Sequence, residues 1–202
     1  MREKKEKKTI DAFEADIDAN YSEWTDEKQQ DEYLDKIASQ IGWIIIEFNR
    51  LEWQLTEVLK QYFCNDLPEI AAVYYNIISS GSFSQKVDLL KDFYKVYGNG
   101  TKKCVFDDSE TLKEWDKQVD NLISQLKTAS QIRNKYAHCF WHLMDENKYV
   151  EFKTVIKHED GLNRVLIRFN EDDLASDYEL LDDLQIDLFN IDSAFNEAYT
   201  SS

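Results

Sequence analysis

Five glycines and one proline are all that punctuate this chain of 202 residues. Frequent chain reversal needs residues that accept a positive φ or pre-set a turn, so β-sandwiches, collagen-like or repeat arrays and linker-rich chains are poorly served by such a sequence. Long helices remain, and the apolar spacing supplies them. From about Asp31 to Cys64, the residues Leu34, Ile37, Ala38, Ile41, Ile44, Ile45, Phe48, Leu51, Leu55, Val58, Leu59 and Tyr62 recur at intervals of three and four. This spacing predicts one buried helical stripe, on a helix about 50 Å long at 1.5 Å per residue. Trp43, Ile46 and Trp53 fall off the stripe, which gives the helix a second apolar surface for another element or another subunit.

Pro68 suits the first turn of a short helix to about Ser79, and Gly81 with Ser82 restarts the chain into another that ends near Gly98. Asn99 to Asp108 reads as a loop and Ser109 as an N-cap. From there Leu112, Trp115, Val119, Leu122, Leu126, Ala129, Ala137 and Phe140 trace a second long helix to about Trp141, expected to pack beside the first. After Met144 the texture changes. Tyr149 to Ile156 and Arg164 to Phe169 are rich in β-branched and aromatic residues, and H-E-D-G-L-N between them carries an Asp-Gly turn signal, so a β-hairpin is expected. Leu174, Tyr178, Leu181, Leu184, Leu188, Ile191, Phe195 and Tyr199 then space a final amphipathic helix. At the other end Ile10, Phe13 and Ile17, with Tyr21 and Trp24 after them, mark a docked arm or short helix.

Forty acidic against 24 basic residues leave a net charge of −16, which disfavours a general nucleic-acid coat. Glu171 to Ser202 contains ten carboxylates and no lysine or arginine, so most of the excess lies on the last helix, as a solvated face or a docking surface for a basic partner. Cys64, Cys104 and Cys139 form an odd set without a C-x-x-C pair, which argues against a disulfide framework or a zinc ribbon and fits a cytoplasmic location. The opening MREKKEKK leads into no apolar run, and nowhere do 18 uncharged apolar residues follow one another. Neither a signal peptide nor a membrane span is expected.

One position breaks the pattern of the second long helix. On a wheel of 100° per residue, Trp115, Leu122, Leu126, Ala129, Ala137 and Phe140 all fall within about 40° of Arg133. A guanidinium at the centre of an apolar stripe is costly unless it is paired, with Glu47 or Glu52 of the first long helix for example, or opens onto a polar cleft. Five residues later stands His138, in R-N-K-Y-A-H from Arg133 to His138.

This stretch resembles the signature of the HEPN domains (higher eukaryotes and prokaryotes nucleotide-binding), an arginine followed by a polar residue, a short spacer and a histidine. Asn134 stands in the polar position, and F-N-R-L-E-W (Phe48 to Trp53) and F-S-Q-K (Phe83 to Lys86) resemble segments of bacterial members. The resemblance covers about residues 31 to 145. It implies an all-α HEPN-like bundle with two long antiparallel helices; the arm, the β-hairpin before the C-terminal helix and that helix itself are read from the sequence pattern and lie outside it. The expected organisation is an arm over 1–26, a helical core over 27–145, the hairpin over 146–170 and the acidic helix over 171–202.

Many HEPN proteins are metal-independent ribonucleases of antiviral defence, abortive infection or toxin systems, with a site built between two motif copies in a homodimer. The resemblance therefore implies an endoribonuclease that uses no cofactor. His138 would be the general acid or base at the 2′-hydroxyl or leaving oxygen, Arg133 the clamp on the phosphate and Asn134 an orienting group. Imidazole titrates near neutrality and a guanidinium fork matches phosphate oxygens, so the chemistry is coherent. Glu47, Asn49, Glu52, Lys86 and Lys135 are candidates for supporting roles. Where some toxin members carry a tyrosine two residues after the histidine, this chain has Phe140, so silencing by nucleotidylation there is not expected.

Other readings stay open. An ideal helix sets Arg133 and His138 about 140° apart, so the helix must end nearby or the site must combine two chains. His138 and His142 are four apart but show no third ligand in the sequence, and no metal is expected; His158 falls in the hairpin turn. One alternative is a non-catalytic HEPN scaffold that binds a nucleotide or a regulatory protein, with the acidic C-terminal helix as its contact surface; another is an acidic mimic of nucleic acid, with carboxylates of the hairpin and last helix spaced like phosphates on one face.

Overall fold

The computed structural model describes residues 9–10, 26–63, 68–98, 109–138, 140–145, 149–158 and 161–201. In chain order they form β1 (Thr9–Ile10), α1 (Glu27–Phe63), α2 (Pro68–Ser80), α3 (Phe83–Gly98), α4 (Ser109–His138), β2 (Phe140–Asp145), β3 (Tyr149–His158), β4 (Gly161–Phe169) and α5 (Glu171–Ser201). Helix is the predominant structure. The remainder of the expected arm, the 99–108 loop and the three cysteines lie outside the described residues.

Local chemistry sets several helix ends. Asp26 Oδ1 accepts from the amides of Lys28 and Gln29 and caps α1. At α3, Ser82 Oγ accepts from the Gln85 amide while Gln85 Oε1 accepts from the Ser82 amide. Asn170 and Asp173 make the same reciprocal pair ahead of α5. Each satisfies two amides that an uncapped first turn leaves without partners. Glu171, Asp172 and Asp173 also place negative charge at the positive end of the α5 dipole. Gly81 closes α2 by donating its amide to Ile77 O at 3.0 Å, and a Cβ there would approach that oxygen to 3.3 Å.

The chain divides into two compact units, one made of Met1–Ile44 with Asn134–Asp177 and the other of Ile45–Arg133 with Tyr178–Ser202. Within the second unit, Phe48 meets Phe83 and Tyr62 meets Phe93, so α1 and α3 run parallel. Lys127 pairs with Asp88 and Lys95 with Asp120, which sets α4 antiparallel to α3 and hence to α1. Gln54 reaches Gln185 and Tyr62 reaches Asp192, so α5 runs parallel to α1. Leu51, Leu55, Leu59, Leu90, Leu122, Leu126, Leu184 and Leu188 fill the interior. Beside them Tyr62, Phe93, Tyr94, Trp115 and Phe195 form an aromatic cluster, with Tyr94 and Phe195 centroids 4.9 Å apart.

The first unit contains an antiparallel sheet of order β1-β4-β3-β2. Val150 pairs with Phe169 and His158 with Gly161 along β3 and β4. The expected hairpin is therefore too small a description, because a strand joins each of its edges: Thr9 pairs with Val165 on one side and Phe140 with Lys153 on the other. The β2 strand also corrects the second long helix, which stops at His138 and does not continue to Trp141. Aromatic and β-branched residues in Phe140 to Met144 fit a strand as well as a helical stripe, and pairing with β3 decides between them. His142 is the extra residue where the β2–β3 register shifts between Trp141 and Leu143, a bulge with paired residues on both sides of it.

Two further expectations change with packing. Leu34 is exposed whereas Tyr33 and Ile37 are buried, so the α1 stripe begins one position away from where leucine alone would put it. On α4 the buried seam follows Trp115, Leu122, Ala129 and Tyr136. That seven-residue spacing drifts about 20° per heptad against a fixed wheel. By the last turns Tyr136 and Ile132 are buried and Ala137 is exposed, and Arg133 sits half-buried at the seam's edge instead of at its centre.

Candidate functional site at the end of the fourth helix

All three residues expected to act on a substrate lie in the last two turns of α4. Arg133 is half-buried and follows Val119 and Leu126 at heptad spacing; Asn134 is exposed. His138 is the last residue of the helix. Its register position continues the outward stripe of exposed Lys127, Gln131 and Asn134, while its side chain lies outside the described residues. α4 is unbroken between Arg133 and His138, so the two positions leave one helix axis about 140° apart.

The carboxylates expected opposite Arg133 are engaged elsewhere. Glu47 is buried on α1, where it accepts from the Arg50 guanidinium and, at 3.0 Å, from Gln185 Nε2. Glu52 receives Lys86 Nζ at 2.9 Å. The Lys86 ammonium is almost fully enclosed and Glu52 about one-third exposed, so the lysine depends on that partner more than the carboxylate does. These are packing pairs of α1 with α3 and α5. Asn49 is exposed on α1.

Lys135 behaves differently. Its Nζ lies 2.9 Å from Asp177 Oδ2 and donates to Tyr136 Oη at 2.8 Å, and Tyr136 in turn donates to the same Asp177 oxygen at 2.7 Å. Tyr136 is buried and the two charged groups are mostly enclosed. This triangle ties the end of α4, two residues before His138, to the first turns of α5. Asp177 was illegible among ten carboxylates of the last segment. Tyr136, inside the R-N-K-Y-A-H stretch, was the available signal, since a buried phenol needs a partner.

A second tyrosine and carboxylate group lies in the aromatic cluster. Tyr62 and Tyr94 both donate to Asp192 Oδ1, at 2.7 and 2.9 Å. Burial, followed by the negative charge of Asp192, pushes the Tyr94 phenol far above its ordinary pKa. The group is a core anchor with a neutral phenol at any physiological pH.

Among the described residues no cluster of three histidine, cysteine or acidic side chains is arranged to hold a metal ion, and no helix is long and apolar enough to cross a membrane. The chain matches no family model, no curated protein and no solved structure.

Proposed function

We propose that the protein is a metal-independent endoribonuclease of the HEPN type, acting as a homodimer in bacterial antiviral defence or a toxin system. The observation that carries the reading is that one continuous helix bears the whole R-N-K-Y-A-H stretch and ends at its histidine. The Lys135–Tyr136–Asp177 triangle supports the backbone just before that histidine. Because Arg133 and His138 diverge on that helix, each site takes Arg133 from one protomer and His138 from the other. The exposed stripe of α4 is the surface on which the two copies meet.

In this mechanism an imidazole takes the proton from a ribose 2′-hydroxyl, and the 2′-oxygen attacks the adjacent phosphorus. The P–O5′ bond breaks, and the 5′-oxygen leaves with a proton from a general acid. The products are a 2′,3′-cyclic phosphate and a 5′-hydroxyl. The Arg133 guanidinium binds the phosphate oxygens on which charge accumulates, an interaction that strengthens at the transition state. Asn134, exposed on the same turn, orients the substrate by hydrogen bonds.

Mixing two inactive variants tests both the chemistry and its division between chains. Arg133→Ala and His138→Ala proteins should each fail to cleave total RNA in EDTA. After exchange of subunits, half of the dimers are mixed and each holds one intact site, so about a quarter of wild-type cleavage should return. No recovery despite verified exchange would defeat the two-chain site. Undiminished cleavage by His138→Ala, a magnesium requirement, or normal cutting of RNA with a 2′-deoxy scissile nucleotide would defeat the mechanism.

A further inference from the structure

The second unit carries an exposed apolar face unrelated to the α4 motif. Trp53 is 66% exposed, Phe189 64%, Ile186 55% and Ile46 42%. On α1 the outward positions Ile46, Arg50 and Trp53 share one side of the helix, as do Ile186 and Phe189 on α5. The two sides belong together. Glu47 and Gln54 reach Gln185 across the seam where α1 and α5 run parallel. On each helix wheel the apolar residues lie beyond that seam and away from the buried leucines. A polar seam, the α1/α5 groove, is thus flanked on both sides by exposed apolar residues.

The charge around it is one-sided. Glu179, Asp182, Asp183 and Glu197 are exposed and fall within about 60° of Ile186 on the α5 wheel, while α5 contains no lysine or arginine. On the α1 shoulder the two cations are each held by a carboxylate, Arg50 by the buried Glu47 and Lys60 by Glu57. A second copy pressed on this groove would set its acidic α5 against an acidic surface. A polypeptide helix with apolar residues along one side and lysine or arginine at its flanks would instead match both shoulders and rim.

We infer that the α1/α5 groove is a docking site for a basic amphipathic helix of a partner protein, with Trp53 and Phe189 as its apolar anchors. Large aromatic side chains left in water on a polar-rimmed face mark such sites, and tryptophan is enriched among interface anchors. The acidic rim accelerates encounter and selects the basic partner; the aromatic shoulders hold it.

The probe is a fluorescently labelled leucine–lysine peptide of about 18 residues, long enough for a stable helix, with leucines at i, i+3, i+4 and i+7. A scrambled peptide of the same composition separates amphipathic docking from bulk charge attraction. Anisotropy titration of the full chain should give binding about tenfold tighter for the ordered peptide than for the scramble. Trp53→Ser with Phe189→Ser should remove that preference while far-UV circular dichroism and melting temperature stay unchanged, because both side chains are exposed. Asp182→Asn with Asp183→Asn should weaken binding and flatten its salt dependence. Equal binding of both peptides, or full affinity in the Trp53/Phe189 variant, would overturn the proposal. So would a dimer that this variant splits into monomers, since a second copy would then own the groove.

Discussion

Replacing Asp177 tests whether the end of α4 is held as its geometry implies. One oxygen, Oδ2, receives both Lys135 Nζ at 2.9 Å and Tyr136 Oη at 2.7 Å. A hydrogen bond to a charged group contributes about 1.5 to 3 kcal/mol net, but the Lys135 side chain is 23% exposed and recovers part of its loss from water. Tyr136, only 4% exposed, recovers less. Asp177→Ala should therefore cost about 3 kcal/mol, and Asp177→Asn, which keeps an oxygen for the phenol and loses the charge, about 1 kcal/mol. For a chain of this size these correspond to melting temperatures lower by roughly 6–12 °C and 2–4 °C. The costs are read from urea unfolding. Hydrogen exchange at the amides of residues 136–138 should accelerate in the alanine variant, and RNA cleavage by the asparagine variant should fall by more than its small stability loss explains. An alanine variant within about 0.5 kcal/mol of wild type, or an asparagine variant equally destabilised, would refute the account.

The Lys86–Glu52 pair should be asymmetric: Glu52→Ala strands an enclosed ammonium and costs about 3 kcal/mol, whereas Lys86→Met leaves a hydrated carboxylate and costs under about 1 kcal/mol, both measured by urea titration. Arg133→Lys keeps charge and stem but loses the planar fork, so cleavage should drop at least about tenfold with the melting temperature held; unchanged cleavage would remove the phosphate clamp from the mechanism. Tyr94 gives an alkaline signature. Its folded pKa lies above the unfolded value, so its contribution is complete below about pH 10. Above that the unfolded chain releases a proton the native state retains, and stability falls by about 1.4 kcal/mol per pH unit. Denaturation between about pH 9 and about pH 11 should lose that slope in Tyr94→Phe, and an identical slope in both proteins would contradict the burial argument.

Helix positions were readable because the sequence states them several times over. Asp26, Ser82 and Asn170 cap, Pro68 begins a first turn, and the α1 and α5 stripes repeat for many turns with few interruptions. Where only one signal spoke, tertiary structure decided. Leu34 and Tyr33 are both apolar and adjacent, and helical periodicity does not choose between them. Phe140 extends the α4 stripe on a wheel, yet β3 offers a pairing edge and the chain leaves the helix two residues earlier. Side-chain partnerships were the least legible, since a carboxylate's partner is fixed by helix crossing points that composition does not encode. Asp177 and Asp192 look alike in the sequence, and one braces the α4 terminus while the other anchors two core phenols.

The same limit explains why Arg133 looked more anomalous in the sequence than it is in the fold. A fixed 100° wheel averages the α4 seam over its whole length and puts Arg133 at the mean. The real seam advances by heptads through Trp115, Leu122, Ala129 and Tyr136 and has rotated away by the last turns. An arginine at that margin can lay its stem along the apolar edge of its own helix while its head reaches a polar surface. Glu47 and Glu52, the carboxylates that the sequence suggests for it, are matched to other groups. Half-buried at that margin, five residues before the end of α4, Arg133 costs the fold less than a guanidinium at the centre of the seam would.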